Sequence, residues 1–165
     1  MSLITPKLED KGVQCVVVGG SAVEFYTRDW YATGDIDLAV TKNRRKIIDK
    51  VLKDMGFTSE GRMWVREDLN LYIETPGDIK SISLERVTRV ETEAGYTYII
   101  GIEDIILDRI SAALHWNSES DREQAIRISA TYSDEIDWDY VRKKAKKDGA
   151  ENMLKNIQEA VKDAE

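Results

Sequence analysis

Residues 16–40 read VVVGGSAVEFYTRDWYATGDIDLAV, and this stretch decides the fold. Two apolar runs rich in β-branched residues, 16–18 and 36–40, predict strands. Between them lie a Gly-Gly-Ser turn and a short amphipathic segment. We therefore predict a strand, a tight turn, a helix over residues 22–27 and a second strand.

The turn after the first strand suits the binding of an anion. Gly19 and Gly20 allow a positive φ or a close approach of the backbone, and Ser21 is a favourable N-cap for the predicted helix. Free N–H groups at the N-terminus of a helix attract phosphate. The sequence therefore predicts a phosphate site at this turn.

Two aspartates, Asp35 and Asp37, stand at the start of the second predicted strand. Because side chains alternate along a strand, we expect these carboxylates on one face, about 6–7 Å apart, with Ile36 and Leu38 in the core. Two carboxylates opposite a turn of phosphate size suit a divalent cation and the phosphates of a nucleotide.

A Gly-Gly-Ser turn followed by Asp-x-Asp between apolar neighbours resembles the signature of the nucleotidyltransferase superfamily. That superfamily includes DNA polymerase β, aminoglycoside nucleotidyltransferases and the minimal MNT and AbiEii-type toxin or antitoxin proteins. The resemblance implies an α+β fold in which helices flank a mixed β-sheet. It also implies transfer of an NMP from an NTP to a hydroxyl of a protein, a tRNA or a small molecule, with release of pyrophosphate.

The same resemblance implies roles for individual residues. Gly19, Gly20 and Ser21 are expected to bind the triphosphate. Asp35 and Asp37 are expected to be catalytic and to bind Mg²⁺ or Mn²⁺, whose charge offsets that of the transferring phosphoryl group.

The third carboxylate of the superfamily usually comes from a neighbouring strand, and here its identity is ambiguous. Alternation over residues 69–75 predicts a strand that carries Asn70 and Glu74 on the same face. Asn70 stands where the family's third aspartate is expected, but an amide is a poorer metal ligand than a carboxylate. Either Glu74 replaces it or the site is weakened. We favour Glu74 as the third metal ligand and catalytic residue.

Three further residues are candidates for nucleotide binding. Arg28 and Thr33 lie between the glycines and the aspartates, and Arg28 offers either a cation for a phosphate or a surface charge. Arg109 matches a basic position in the helix that follows the sheet in related nucleotidyltransferases, which implies contact with the nucleotide. The alternative for Arg109 is an ion pair. In those relatives an acidic residue on the next helix matches Asp121 or Gln124.

The rest of the chain mixes strands and helices as far as residue 101 and is helical after it. We predict a nucleotidyltransferase-like core over 1–101 and C-terminal helices over 102–165 packed on it as one compact unit. The predicted elements are a short helix or turn within 2–12, a helix over 43–55, strands over 57–58, 62–66, 69–75, 82–91 and 96–100, and helices over 103–116, 121–132, 138–147 and 150–164.

Composition limits the classes of protein. The net charge of −7 and the pI near 4.9 disfavour a long non-specific nucleic-acid surface. Basic runs at 44–46 and 142–147 are solvated helix faces or a local RNA contact. No apolar run approaches the ~18–20 residues of a membrane span, and no leader is visible, so we expect a cytoplasmic address and no membrane partner. Cys15 is expected to be a buried, inert thiol and His115 to have a structural or a substrate-side role.

In a second interpretation, the chain has the same fold but little or no catalytic activity. In it the chain is a catalytically weak or inactive binding protein, for instance a toxin–antitoxin component with a partner toxin. Asn70 at an expected acidic position and the acidic net charge motivate this alternative.

Overall fold

The computed structural model describes residues 1–28 and 30–164. Within them a seven-stranded mixed sheet is flanked by helices, and helices alone follow residue 101, so the predicted α+β fold is confirmed. The strands are β1 Cys15–Val18, β2 Ile36–Val40, β3 Thr58–Glu60, β4 Met63–Arg66, β5 Leu71–Asp78, β6 Thr88–Thr92 and β7 Gly95–Ile99. The helices are α1 Ile4–Glu9, α2 Gly19–Thr27, α3 Arg45–Asp54, α4 Ile102–Trp116, α5 Glu119–Thr131, α6 Trp138–Lys147 and α7 Glu151–Ala164.

The strand order is β3-β4-β5-β2-β1-β7-β6, so the stretch that decides the fold forms the middle of the sheet. β1 and β2 are antiparallel, β5 runs parallel to β2, and β7 runs parallel to β1. The edge strands β3 and β6 and the strand β4 beside β3 are antiparallel to their neighbours. Cys15, Val16 and Val17 are buried in β1, as expected for an apolar strand covered on both faces.

Helices complete the core. α2 contacts β1, β2, α4 and α5, whereas α1 contacts β7 and α3. Ile105, Ile106 and Ile110 of α4 and Ile128 of α5 belong to the same buried apolar cluster as Leu38 of β2. Within residues 1–28 and 30–164, no helix is both long enough and apolar enough to span a bilayer.

The first helix after β1 begins earlier than predicted. α2 starts at Gly19 rather than at residue 22, because Gly19 adopts φ +57° and turns the chain directly from strand into helix. The N-cap is Val18, so the prediction of Ser21 as N-cap is wrong. Ser21 lies in the first turn, and its hydroxyl instead donates to the backbone carbonyl of Asp35 at 2.7 Å.

The predicted strand over 69–75 is shifted. Leu69 lies in a 3₁₀ turn and is exposed, and Asn70 adopts φ +50°, so β5 begins only at Leu71. β5 then continues through Pro76 and Gly77 to Asp78, three residues beyond the predicted end at residue 75. Pro76 is tolerated because the register between β2 and β5 shifts at this level, where the ladder is irregular.

The predicted strand over 82–91 is wrong in its first half. The 3₁₀ turn Leu84–Arg86 occupies this half, a second 3₁₀ turn at Ile79–Ser81 precedes it, and β6 begins at Thr88. Backbone amides in this region donate to side-chain carboxylates instead of to a neighbouring strand. The Lys80 amide donates to Asp78, and the Ser83 amide donates to Asp104 of α4 at 3.0 Å.

Cys15 is buried in β1 as predicted. Burial raises the pKa of its thiol to about 11. The thiolate is therefore scarce at neutral pH.

Candidate active site

Three of the predicted carboxylates meet at one edge of the sheet. Asp37 of β2 pairs in register with Glu74 of β5, and Asp35 lies just before β2. Because residues at one level of neighbouring strands point to the same face, the three side chains converge. One carboxylate oxygen from each of Asp35, Asp37 and Glu74 lies within 4.8 Å of the others. We call these three side chains the carboxylate cluster. Asn70 precedes β5 and stands four residues before Glu74 in the chain.

Local hydrogen bonds orient the two aspartates. The Thr33 hydroxyl donates to Asp35 Oδ1 at 3.0 Å, and the backbone amide of Gly20 donates to Asp37 Oδ2 at 3.3 Å. The Thr33 amide in turn donates to Glu24 of α2 at 3.2 Å. Thr33 therefore contacts a carboxylate of the cluster in this structure, and its hydroxyl acts on Asp35 directly.

The glycines let the turn and the aspartates approach each other. A Cβ at Gly19 would overlap the carboxylate of Asp37, and a Cβ at Gly20 would lie 3.0 Å from Thr33 Oγ1. Gly19 also has a left-handed φ that other residues adopt at a cost. Gly19 therefore needs glycine for a structural reason, and a side chain at Gly20 would crowd Thr33, apart from any contact with phosphate.

The cluster concentrates negative charge in a partly buried place. Burial raises the pKa of Asp37, and the neighbouring charge of Asp35 raises it further. Glu74 acts in the same direction, while the Gly20 amide and the Arg109 charge partly offset these effects. A divalent cation relieves such crowding, and carboxylate oxygens are the ligands that Mg²⁺ and Mn²⁺ prefer.

Asp37 opens onto a groove of about 360 Å³. Its walls come from the ends of β1 and β5, from the segment that includes Ser81 and Ile82, and from α4. Arg109 is the cation that α4 contributes to this lining. The groove therefore joins the glycine turn, one aspartate of the cluster and a positive charge.

Arg109 is held by several partners. Its guanidinium donates to Asp121 at 2.7 Å and to Gln124 at 3.4 Å, and it also pairs with Asp108. Burial alone would lower the pKa of Arg109, but Asp108 and Asp121 outweigh burial and raise it. The two interpretations of Arg109 are thus compatible, since the ion-paired side chain also lines the groove.

Two candidates lie away from this arrangement. Arg28 is exposed at the C-terminal end of α2, with φ +45°, whereas the glycine turn forms the other end. α2 has nine residues, so its ends are about 13 Å apart. His115 is exposed in the last turn of α4. Neither residue is among those that line the groove.

One charged neighbour of the cluster is not predicted from the sequence. Arg62, in the turn between β3 and β4, places Nε 3.5 Å from Glu74 Oε1 while 90% of its side chain stays exposed. The register that sets Met63 opposite Glu74 brings it there. No local motif marks this residue, because the contact depends on how the β3–β4 hairpin docks on β5.

Comparison with protein families gives one match. The profile of a family described as nucleotidyltransferase of unknown function (DUF6036) matches residues 1–162. A search of curated protein sequences finds no significant match.

Several solved structures share the fold. An antigenic nucleotidyltransferase-like protein from Paracoccidioides brasiliensis superposes with a TM-score of 0.53 and 19% identity, over 75% of this chain and 71% of that one. The solution structure of the antibiotic-resistance factor ANT(2″)-Ia gives a TM-score of 0.55 at 12% identity, over 98% and 92%. ANT(2″)-Ia in complex with adenylyl-2″-tobramycin gives 0.53 at 12% identity, over 96% and 94%. At these identities the likeness concerns the fold alone.

Proposed function

The chain belongs to the nucleotidyltransferase family DUF6036, and from this premise we propose that it is a metal-dependent enzyme that transfers an NMP from an NTP to a hydroxyl group and releases pyrophosphate. The observation that carries the proposal is the carboxylate cluster, in which oxygens of Asp35, Asp37 and Glu74 lie within 4.8 Å of one another. The cluster stands beside the glycine turn at the N-terminus of α2, where an anion is favoured.

The donor set fits Mg²⁺ or Mn²⁺. Asp35, Asp37 and Glu74 would hold the cation, since each partly buried residue offers a carboxylate oxygen within 4.8 Å of the other two. When bound, such a cation neutralises charge on the transferring phosphoryl group and on the leaving pyrophosphate.

The chain's own residues supply the rest of the site. We assign Gly19, Gly20 and Ser21 to the triphosphate, because α2 begins there and its first amides lack partners within the helix. Arg109 offers a fixed cation from the opposite wall, and its pairing with Asp121 limits its movement. Thr33 acts as a positioning residue for Asp35, and Arg28 lies at the end of α2 opposite the glycine turn.

The first nucleotide to test is ATP. Among the structures that share this fold, that of ANT(2″)-Ia is a complex with adenylyl-2″-tobramycin. This supports an adenylate as the group that is transferred and a hydroxyl as its acceptor. The acceptors to test with it are a protein, a tRNA and a small molecule.

The alternative of a catalytically weak binding protein, such as a toxin–antitoxin component, loses one of its two arguments. It rests on Asn70 and on the net charge of −7. Because Glu74 lies with the two aspartates, Asn70 gives no reason to expect a weakened site. The net charge alone does not separate a binding protein from an enzyme, so we place the enzyme first.

A transfer assay tests the proposal. The chain is incubated with each NTP labelled on the α-phosphate, with Mg²⁺ or Mn²⁺, and with aminoglycosides, total tRNA or protein as acceptors. We expect pyrophosphate release and labelled acceptor with one NTP, and a loss of at least about 100-fold in Asp35→Asn/Asp37→Asn.

The matched control removes two exposed carboxylates outside the groove, Asp54→Asn/Asp134→Asn, and is expected to keep full activity. Metal-dependent transfer that survives unchanged in Asp35→Asn/Asp37→Asn would contradict the assignment of the cluster.

A further inference from the structure

The two last helices, α6 and α7, enclose a groove of about 470 Å³ whose walls are basic. α6 contributes Arg142, Lys143 and Lys146, and α7 contributes Lys155. An adjoining hollow of about 380 Å³ shares Arg142 with it and adds Lys162. We call the two together the basic groove.

The cations of the basic groove are concentrated although the whole chain is acidic. Five basic side chains line the two hollows, and Glu151 is their one acidic neighbour in the lining, in a chain of net charge −7. A positive potential at this place is therefore local and does not come from the overall charge.

Most of these charges are available to a ligand. Arg142 pairs with Asp139 at 2.6 Å and Lys155 with Glu159 at 3.9 Å, and both pairs are exposed. Pairs of this kind contribute little free energy and exchange readily. In the described part of the chain, Lys143, Lys146 and Lys162 have no ion-pair partner.

The lining of the basic groove also includes apolar side chains. Leu154 lines the larger hollow, and Val161 and the partly buried Trp138 line the smaller one. A cationic groove that also holds an aromatic ring is the combination that proteins use for single strands, with bases stacked on the ring and phosphates held by the cations.

The spacing of the cations matches a row of phosphates. Lys155 and Lys162 are seven residues apart on one face of α7, which separates them by about 10 Å along the helix. Arg142 and Lys146 are one turn apart on α6, about 6 Å. A stacked strand carries a phosphate every ~3.4 Å, so roughly three phosphates fit along the longer wall.

We propose that the basic groove binds the sugar-phosphate backbone of a single-stranded nucleic acid. The two rows of cations and the aromatic ring in the lining favour this occupant over an acidic peptide, which has no bases to stack. The proposal is independent of the nucleotidyltransferase activity, because it uses none of the residues of the carboxylate cluster.

Fluorescence anisotropy of the full chain with a labelled oligouridylate of about 20 nucleotides tests the proposal. At about 50 mM KCl we expect saturable binding, with a slope of log K against log[KCl] of about −3, as for four phosphate contacts. Lys146→Glu/Lys155→Glu is expected to weaken binding at least 10-fold. Lys146→Gln/Lys155→Gln introduces no new repulsion with Glu151. It is expected to weaken binding less than the glutamate variant and to reduce the magnitude of the salt slope by about 1.4.

The matched control is Lys46→Glu/Lys50→Glu on α3, which changes the net charge by the same amount at exposed lysines outside the groove. It is expected to bind within about twofold of the wild type. Asp35→Asn/Asp37→Asn is also expected to bind normally, which separates this proposal from the enzymatic one.

Four results would overturn the proposal. They are no binding at about 50 mM KCl, equal weakening in the α3 control, loss of binding in Asp35→Asn/Asp37→Asn, and competition by polyglutamate as strong as by unlabelled oligouridylate. The last would assign the groove to an acidic protein partner. Thermal unfolding of each variant verifies that it is folded under the conditions of the assay.

Discussion

The carboxylate cluster and the basic groove carry opposite charges and are built in different ways. The cluster stands on central strands, where Asp35 and Asp37 are partly buried and held by hydrogen bonds. The basic groove lies on helix surfaces, where Lys143 and Lys146 are exposed. A metal site needs its ligands fixed, whereas attraction of a phosphate backbone tolerates flexible side chains. The cluster should therefore be sensitive to small packing changes and the groove only to changes of charge.

The largest effect is expected at the glycine next to the cluster. Gly19→Ala adds a Cβ that overlaps the carboxylate of Asp37 and forces a left-handed φ on alanine. We expect a loss of about 2–4 kcal/mol, seen as a fall of roughly 5–15 °C in Tm.

Two other glycines separate the causes. Gly61→Ala also has a positive φ but meets open space, so it should cost about 1–2 kcal/mol. Gly34→Ala meets open space without a left-handed φ and should be nearly neutral. Equal losses for Gly19→Ala and Gly61→Ala would show that contact with Asp37 contributes nothing.

A smaller effect is expected at Thr33. Thr33→Val removes the hydroxyl that orients Asp35, which is worth about 1 kcal/mol. We expect a rise of about 5-fold in the Mg²⁺ concentration that gives half-maximal pyrophosphate release. Thr33→Ser keeps the donor and should restore the wild-type value, and an unchanged metal requirement in Thr33→Val would exclude a positioning role.

The crowding of charge predicts a stabilising substitution. Because burial and Asp35 raise the pKa of Asp37, the folded state holds that proton more tightly than the unfolded chain does. Ionisation of Asp37 therefore lowers stability as the pH rises through its folded-state pKa. Without divalent cation at pH 7, Asp37→Asn should raise Tm by roughly 1–3 °C, and the gain should shrink as the pH falls. A lower Tm at pH 7 would mean that the hydrogen bond to Gly20 outweighs the repulsion.

The smallest effect on stability is expected in the basic groove. Lys146 and Lys155 are exposed and stabilise little of the fold. Lys146→Gln/Lys155→Gln should therefore change the free energy of unfolding by less than about 0.5 kcal/mol in denaturant titrations. A clear loss of unfolding free energy would show that these lysines hold α6 against α7. The groove would then be sensitive to packing, as the carboxylate cluster is, and the contrast between the two regions would be wrong.

Local patterns predicted the parts of the site that lie close together in the chain. The glycine turn and the pair Asp35 and Asp37 belong to one stretch, so their strand, helix and strand follow from alternation and turn chemistry. The choice between Glu74 and Asn70 needed the register of β5 against β2, which two distant segments determine together. Arg62 was missed for the same reason, since its place depends on hairpin docking.

Two errors came from side chains that interact with the backbone. Serine is a residue type that favours the N-cap position, but the helix begins earlier, at Gly19, which adopts a left-handed φ. The Ser21 hydroxyl therefore lies within the first turn and donates to the backbone carbonyl of Asp35. Between β5 and β6, the Ser83 amide donates to Asp104, and a 3₁₀ turn at Leu84–Arg86 stands where apolar residues indicated a strand. Whether a side chain bonds to the backbone in this way depends on which residues are close in space, and the hydrophobic periodicity of the sequence does not give that information.

Thermal unfolding with each NTP and Mg²⁺ tests most directly whether the carboxylate cluster is a nucleotide site. A ligand at about 100 times its Kd stabilises the folded state by roughly 2.7 kcal/mol, which is about 5–10 °C in Tm for a chain of this size. We predict that one NTP produces this shift in the wild type only when Mg²⁺ is present, and that Asp35→Asn/Asp37→Asn loses it. A shift of the same size in the variant or without metal, or no shift with any NTP, would contradict the account.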